Sequence, residues 1–452
     1  MGMNEARKPG RWWLVLSFVY WSSATVALLL FWDLFPKQAR AAEQDSAAFR
    51  TLAGKHLELV TDLPPAAETD ELPAVFDAAV PLWAAYFGLP REQWQSFRPR
   101  AFLIKDAKRF RQAGLMPDDL PPFPTGFQRN GRIWLYEQPA AYYQRHLLLH
   151  EGVHAFCEQL LGHSGPPWYA EGIAEFLALH RWVDGKLQIG INPLAPEEVP
   201  FWGRIKLIRQ AQQSGQLLSL ADVMRFGPDA HRQVEPYAWS WAAVFFFENH
   251  PDYRDTFGFS RQLLAQGAED FSAQLRQRYG SNWEQVELNW FVFVRELEFG
   301  YDVARAALRF EPPRAQEEKT PVVTLRADQG WLVTSIPIEK GETVRLTAEG
   351  RYQLAERPAI WWCEPPGVTL HYYRGKPLGV LLAAIVPDDR PTTMTDPIQV
   401  GRRLEWAPGQ TGRLCLKIND SPALLADNAG TIRVRVEKSP GAISPKDRGM
   451  HP

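Results

Sequence analysis

Cysteine is scarce. Three residues in 452, Cys157, Cys363 and Cys415, are too few for a disulfide scaffold. Cys363 and Cys415 leave room for one bridge, while Cys157 sits where plain helix packing accounts for it. Charge of one sign is missing as well: 50 Lys and Arg face 52 Asp and Glu, the net charge is −2, and no basic block stands out. That balance offers no grip on a phosphate backbone, so nucleic acid is not an expected partner. Long apolar runs are absent with one exception. Trp12 to Trp32 is uncharged and, at 21 residues, long enough to cross a bilayer as a helix, with Arg7, Lys8 and Arg11 before it. Positive charge on the N-terminal side orients it N-in, so residues from about 42 onward are expected in the periplasm or outside the cell, tethered to the inner membrane. Ala39-Arg40-Ala41 offers a cleavage site as the alternative, which would make the chain secreted, although the run exceeds the roughly 7 to 15 residues of a usual signal core.

The remaining composition is ordinary. With 45% apolar and 23% charged residues, a chain of this length predicts two or three domains and a large core. The 18 Trp are numerous, and pairs such as Trp361-Trp362 and Trp239/Trp241 read as core filling, with platforms for sugar as the alternative.

Chemistry enters at His150-Glu151-Gly152-Val153-His154. Positions i and i+4 of a helix share a face, so both imidazoles can reach one Zn²⁺ at roughly 2.0 Å, with Glu151 beside the open position as general base. The flanks agree: Tyr142 to Leu161 is Leu-rich and free of Pro, and Gly162 is a natural stop. Catalytic zinc needs a third protein ligand. After the Gly-Pro-Pro turn at 165–167 a second helix is expected near Trp168, and its Glu171 and Glu175 form another i, i+4 pair. Glu171 is the expected third ligand. Glu175 would accept the spare N–H of a ligating His and fix its tautomer.

These two segments, the second running Trp168-Tyr169-Ala170-Glu171-Gly172-Ile173-Ala174-Glu175-Phe176, resemble the gluzincin metallopeptidases over roughly residues 50 to 305. By chance alone His-Glu-x-x-His arises in about one such sequence in a hundred, before the second motif is required. The resemblance implies Zn²⁺ held by His150, His154 and Glu171, with Glu151 activating the water. It also implies a sheet whose exposed edge, the strand before the zinc helix, lines the cleft and accepts an extended peptide. Gly131 to Tyr136 would be that strand, with an ordinary sheet strand the equally consistent alternative. An oxyanion donor is expected from the helical part, with Tyr237 the candidate and His231 and Tyr169 its rivals.

Around the motifs, periodicity predicts strands at His56–Val60 and Arg100–Lys105, a helix from Leu72 to Phe87, and a helical stretch from about Phe201 to Arg309 that includes Ala238–Glu248, Phe271–Tyr279 and Trp283–Phe299. The polar, Pro-rich stretch Glu311 to Pro321 marks a linker. Beyond it the period switches to two, at Val322–Leu325, Thr343–Ala348, Leu414–Ile418 and Thr431–Val436, which describes a small sandwich.

One loop of that sandwich, Leu416 to Gly430, carries Asp420, Asp427 and Asn428, the oxygen ligands a hard cation takes. With Gly341 to Gly350, this region resembles the calcium-dependent galactophilic lectins of bacteria. Carried over by position, the resemblance implies Ca²⁺ bound by the side chains of Asp420, Asp427 and Asn428 and the carbonyls of Leu424 and Leu354, Asp427 standing where those lectins have Asn. Their sugar-gripping His and Gln have no clear counterpart between Trp361 and Leu370. An Asx-rich turn satisfying its own backbone is the alternative.

The expected fold is therefore α+β, a gluzincin-like metallopeptidase (small mixed sheet, zinc helices, helical subdomain) followed by a β-sandwich. Residues 1–42 form an anchor or signal peptide, 50–310 the peptidase, 311–321 the linker, 322–438 the lectin-like domain and 439–452 a disordered tail. The expected activity is zinc-dependent hydrolysis of peptide or protein substrates, with carbohydrate as a further partner. The alternative is a glycan-binding surface protein on a non-catalytic peptidase-like scaffold.

Overall fold

In a computed structural model of the chain, residues 49–229, 233–314 and 319–439 are described. The apolar run Trp12–Trp32, His231, the middle of the Pro-rich stretch and the tail beyond 439 lie outside them. None of the described helices is long and apolar enough to cross a membrane.

The fold is α+β. Its first sheet comprises β1 (Arg50–Ala53), β2 (Glu58–Thr61), β3 (Arg100–Ile104), β4 (Gly126–Arg129) and β5 (Arg132–Tyr136), in the order β1-β2-β3-β5-β4. β2, β3 and β5 run parallel, and β4 is antiparallel to β5. Helix α1 (Leu72–Phe87) begins with Pro at its first turn and ends on Gly88 in the left-handed region, start and stop signals that sequence can carry. It buries Phe76, Val80 and Trp83 against α2 (Ala141–Phe156), the helix bearing the first motif. Gly152 lies at that contact. A Cβ there would meet Phe76 Cε2 at 2.6 Å and Trp83 Cη2 at 2.7 Å, which explains a glycine inside a helix. Past Phe156 the helix widens into a π-turn, Cys157–Leu161, and stops at Gly162 with φ of 75°.

Helix α3 (Pro167–Ala178) follows, starting on Pro166-Pro167 where a missing N–H costs nothing. The hairpin β6 (His180–Val183) and β7 (Lys186–Ile189) leads to α4 (Arg204–Gln213), α5 (Val234–Asn249) and α6 (Trp283–Glu296). α3 crosses α5 closely, since a Cβ on Gly172 would lie 2.5 Å from the Ser240 carbonyl oxygen.

The remaining strands are β8 (Arg309–Phe310), β9 (Val322–Arg326), β10 (Leu332–Ile338), β11 (Thr343–Glu349), β12 (Tyr352–Ala355), β13 (Trp361–Cys363), β14 (Val368–Tyr373), β15 (Lys376–Leu378), β16 (Leu381–Pro387), β17 (Ile398–Gln399), β18 (Arg403–Trp406), β19 (Gly412–Ile418) and β20 (Ala429–Ser439). They build two sheets, β17-β16-β19-β10-β8 and β13-β12-β20-β11-β18 with β9 on β20, and a separate ribbon β14–β15. The inner faces share one core, including Ala383, Ile385, Leu416, Val344, Leu346 and Val434. The outer face of the first sheet is also covered: Leu382, Ala384, Val386 and Cys415 pack with Trp331 and with Leu288 and Val292 of α6.

The Pro-rich stretch therefore joins bodies that touch. β8 precedes it yet pairs in parallel with β10 beyond it. Lys417 of β19 donates to Glu296 of α6 at 2.7 Å, and Trp331 Nε1 donates to the same carboxylate at 2.9 Å. All three cysteines are buried and free, so Cys363 and Cys415 do not pair.

Candidate metal centre

Helix geometry stacks His146, His150 and His154 on one face of α2, and α3 brings Glu171 and Glu175 against that face. His150 Nε2 lies 3.2 Å from His154 Nε2, 3.3 Å from Glu171 Oε2, and His154 Nε2 lies 3.4 Å from the same Oε2. A regular tetrahedron of ligands at roughly 2.0–2.1 Å has edges of about 3.3–3.4 Å, so the three atoms already trace one face of a zinc-sized tetrahedron. Glu171 Oε2 is buried without a hydrogen-bond partner. Lone pairs and a carboxylate this close repel unless a proton or a metal ion lies between them, and Zn²⁺ would turn the same triangle into coordination. Burial pushes the Glu171 carboxyl up, but His154 and His150 beside it outweigh that and hold it down at about 2. It is held as a carboxylate. The donor set fits Zn²⁺.

His146, His150 and Glu175 form a second close group of different character. Glu175 accepts from Trp202 Nε1 at 2.9 Å, Arg204 Nε at 3.2 Å and Arg204 Nη2 at 2.7 Å, with His146 Nε2 at 3.4 Å and His150 Nδ1 at 3.5 Å. Its charge is already met by a buried guanidinium, and it lies behind the His150 ring, 3.5 Å from Nδ1 and without a hydrogen bond to it. Burial raises its carboxyl and Arg204 and His146 lower it, the net being well below the usual range. Trp202, Arg204 and His146 are the neighbours of this cluster that sequence reasoning missed. For His146 a signal existed, since it stands four residues before His150. Trp202 and Arg204 lie 27 and 29 residues beyond Glu175, where no local spacing points to them.

Glu151 is 8% exposed, and burial lifts its carboxyl to about 7, with His154 opposing and Glu171 and Glu175 adding to the rise. A group titrating there can take a proton and give it back. Tyr237, near the start of α5, has its ring 5.8 Å from the His150 ring, and the Arg204 guanidinium lies 5.4 Å from the Tyr237 ring. Burial and the glutamates 171, 151 and 175 hold its hydroxyl well above the ordinary range, so it stays a donor. The rival Tyr169 is fully buried and accepts from Ser260, which makes it a core residue. His231 is outside the described residues.

The edge of the sheet is not where sequence put it. Arg132–Tyr136 lies inside, between β3 and β4, and the edge is β4. Its four half-buried residues, Gly-Phe-Gln-Arg, lack the alternation that marks a strand. Tyr136 N–H donates to the Thr125 carbonyl at 2.8 Å, in register with Gly126 opposite Leu135. Antiparallel alternation then turns the main-chain groups of Gly126 and Gln128 to the open side. Gly126 also borders Glu151, because a Cβ there would lie 2.8 Å from its Oε1. Gly126→Ala is therefore expected to displace the carboxylate and lower kcat by about ten- to a hundredfold at unchanged fold, read by steady-state kinetics beside circular dichroism. Unchanged kcat would mean the carboxylate sits clear of this strand.

The loop with Asp420 closes on itself. Asp420 is buried, its Oδ1 accepts from the Ser421 N–H at 2.7 Å and its Oδ2 from Asn428 Nδ2 at 2.8 Å. Asn428 Nδ2 also reaches the Ala327 carbonyl at 3.1 Å, and the Asp427 carbonyl accepts from Gln353 at 2.7 Å. Asn428 Oδ1 is buried without a partner. Leu354 is buried and Leu424 exposed.

No family model matches this chain, and no curated protein matches it. Among solved structures, part of the chain is similar to one described as "EclA N-terminal domain; PllA-like lectin"; the likeness spans 26% of this chain and 95% of that one, at 20% sequence identity and a TM-score of 0.21.

Proposed function

We propose that residues 50–310 are a gluzincin-type zinc peptidase that hydrolyses extended peptides. The observation that carries this is the triangle of His150, His154 and Glu171, with edges of 3.2, 3.3 and 3.4 Å, beside a buried carboxylate that coordinates nothing. When bound, Zn²⁺ supplies Lewis acidity, polarising a carbonyl and making water acidic enough to attack near neutral pH. The rest is the chain's own work. A substrate added along β4 pairs with the main chain of Gly126 and Gln128 and brings a carbonyl beside Glu151. Glu151 takes the water's proton and returns it to the departing amine. Tyr237 donates to the oxygen on which charge develops, while Glu175, fixed by Arg204, stands behind the His150 ring to receive its Nδ1 proton. Residues 45 to 440 are expected to bind about one Zn²⁺ per chain by elemental analysis, and His150→Ala/His154→Ala to bind none. Metal retained undiminished in the double variant would place it elsewhere.

Two further proposals attach to the other ends of the chain. The run Trp12–Trp32 tethers the protein to the inner membrane with residues from about 42 outside the cytoplasm; recovery of a shortened chain in the soluble fraction after cell fractionation would replace the tether with a cleaved signal. In the sandwich, Ca²⁺ enters at Asp420, where exchanging the amide oxygen and nitrogen of Asn428 sets two oxygens 2.8 Å apart facing one point. Calcium at a hundredfold excess over Kd then adds about 2.7 kcal/mol to stability. A thermal melt that ignores calcium and chelator alike, in wild type as in Asp420→Ala, would leave the loop as a self-satisfied turn.

A further inference from the structure

Among the described residues, large apolar side chains stand exposed together in one short stretch: Ile360, Trp361, Trp362, Leu370 and Tyr372, at 51, 40, 51, 87 and 63%. Ile360 precedes β13, β13 and β14 carry the others, and the Trp361 and His371 rings lie 4.8 Å apart at the centroids. β14 is exposed from Thr369 through Tyr372, on both of its faces. Paired only with β15 and exposed over four consecutive residues, this strand projects from the sandwich, and water is a poor neighbour for Leu370 at its most exposed point.

Chemistry narrows the occupant. Trp361 and Trp362 present the flat aromatic faces on which a sugar docks, but Ile360 and Leu370, which complete the patch, offer neither such a face nor a hydrogen-bond partner. A bilayer takes the full set: Trp and Tyr rest at headgroup depth, aliphatic tips enter the acyl boundary, and cations at the rim meet anionic headgroups. Arg351 supplies such a cation, its guanidinium 4.8 Å from the Trp362 ring centroid, and exposed Arg357 a second, against exposed Glu356; a further exposed carboxylate, Glu364, is paired with exposed Arg402. Chain length supplies the proximity. The apolar run ends at Trp32 and the described chain begins at Phe49, so 16 residues join them. Fully extended these reach about 55 Å. A tether that short keeps the folded part at an effective concentration on the order of millimolar, at which a weak surface suffices.

We propose that Ile360–Tyr372 docks on the outer face of an anionic bilayer, resting on the tethered reading above, so that the peptidase works at the membrane surface. Residues from Thr51 onward form one compact unit, so a chain beginning at residue 45 serves as the test and carries no tether. It is expected to co-sediment with vesicles of phosphatidylglycerol and phosphatidylcholine and less with phosphatidylcholine alone. Trp361→Ser/Trp362→Ser/Leu370→Ser should lower the bound fraction about tenfold or more while peptide hydrolysis in solution is unchanged. Wild type left in the supernatant with both vesicles, or a triple variant that sediments like wild type, overturns the proposal. So does release of vesicle-bound protein by a free glycan, which would assign the patch to carbohydrate, or a dimer that the triple variant turns into a monomer, which would assign it to a second copy. Because the test chain lacks the apolar run, a failed tether leaves these outcomes readable.

Discussion

Replacing Glu151 by Gln is expected to leave zinc bound and the melting temperature near wild type while lowering kcat by about 10²- to 10⁴-fold. The substitution keeps the shape of a side chain that is 8% exposed and lies against Gly126, so packing is little disturbed. An amide, however, cannot accept a proton at neutral pH. Glu151 also contributes no atom to the triangle, so its loss subtracts a proton carrier and leaves the ligands alone. Glu171→Ala should do the opposite, emptying the site of metal. Elemental analysis beside single-turnover kinetics separates the two, and a Glu151→Gln protein that keeps both zinc and wild-type turnover would show that another group takes the proton.

The largest stability loss is expected from Lys417→Met. Its ammonium is 2% exposed and meets a Glu296 carboxylate that is 12% exposed, so neither charge can turn to water. Burial raises the Glu296 carboxyl, and Lys417 with the Trp331 indole outweighs it, leaving the group below its usual range. Removing the cation strands a buried anion and should cost about 3–5 kcal/mol, read as a shifted denaturation midpoint. Glu296→Gln/Lys417→Met should recover much of this, because no charge is left unpaired. The sign in pH follows from the lowered carboxyl. The pair's contribution is complete above the unfolded Glu value of about 4.3 and fades as pH falls toward the lower folded value. A Lys417→Met cost under about 1 kcal/mol would mean that water reaches Glu296.

What sequence could show of this fold follows the range over which each signal acts. The His150, Glu151, His154 spacing and the bounds of Leu72–Phe87 are local, since a turn of helix and its capping residues state them within a few positions. Glu171 and Glu175 were reachable through a second local pair. Arg204 was not, because its contact with Glu175 arises only when α4, packed on α5, brings its first residue up to α3. β16 was hidden for another reason: Leu381–Pro387 is buried throughout, Ala383 and Ile385 facing the sandwich core and Leu382, Ala384 and Val386 the helices, so no alternation of polar and apolar residues survives to announce a strand. The edge strand was misplaced because four residues starting at Gly126 are too short to show a period. Its identity rests on register with β5, which no count along the chain contains.

The three unpaired cysteines give the molecule a property of a different kind. Burial pushes the Cys157 and Cys415 thiols up to about 12 and raises Cys363 as well, so in an oxidising compartment none is a ready thiolate. They are silent as long as the chain is closed. Cys157 lies on the turn that ends the motif helix, Cys363 inside the sandwich and Cys415 at the seam with α6, so each opens with a separate region. An alkylating probe added to native protein would thus record, cysteine by cysteine, which part of the molecule breathes first.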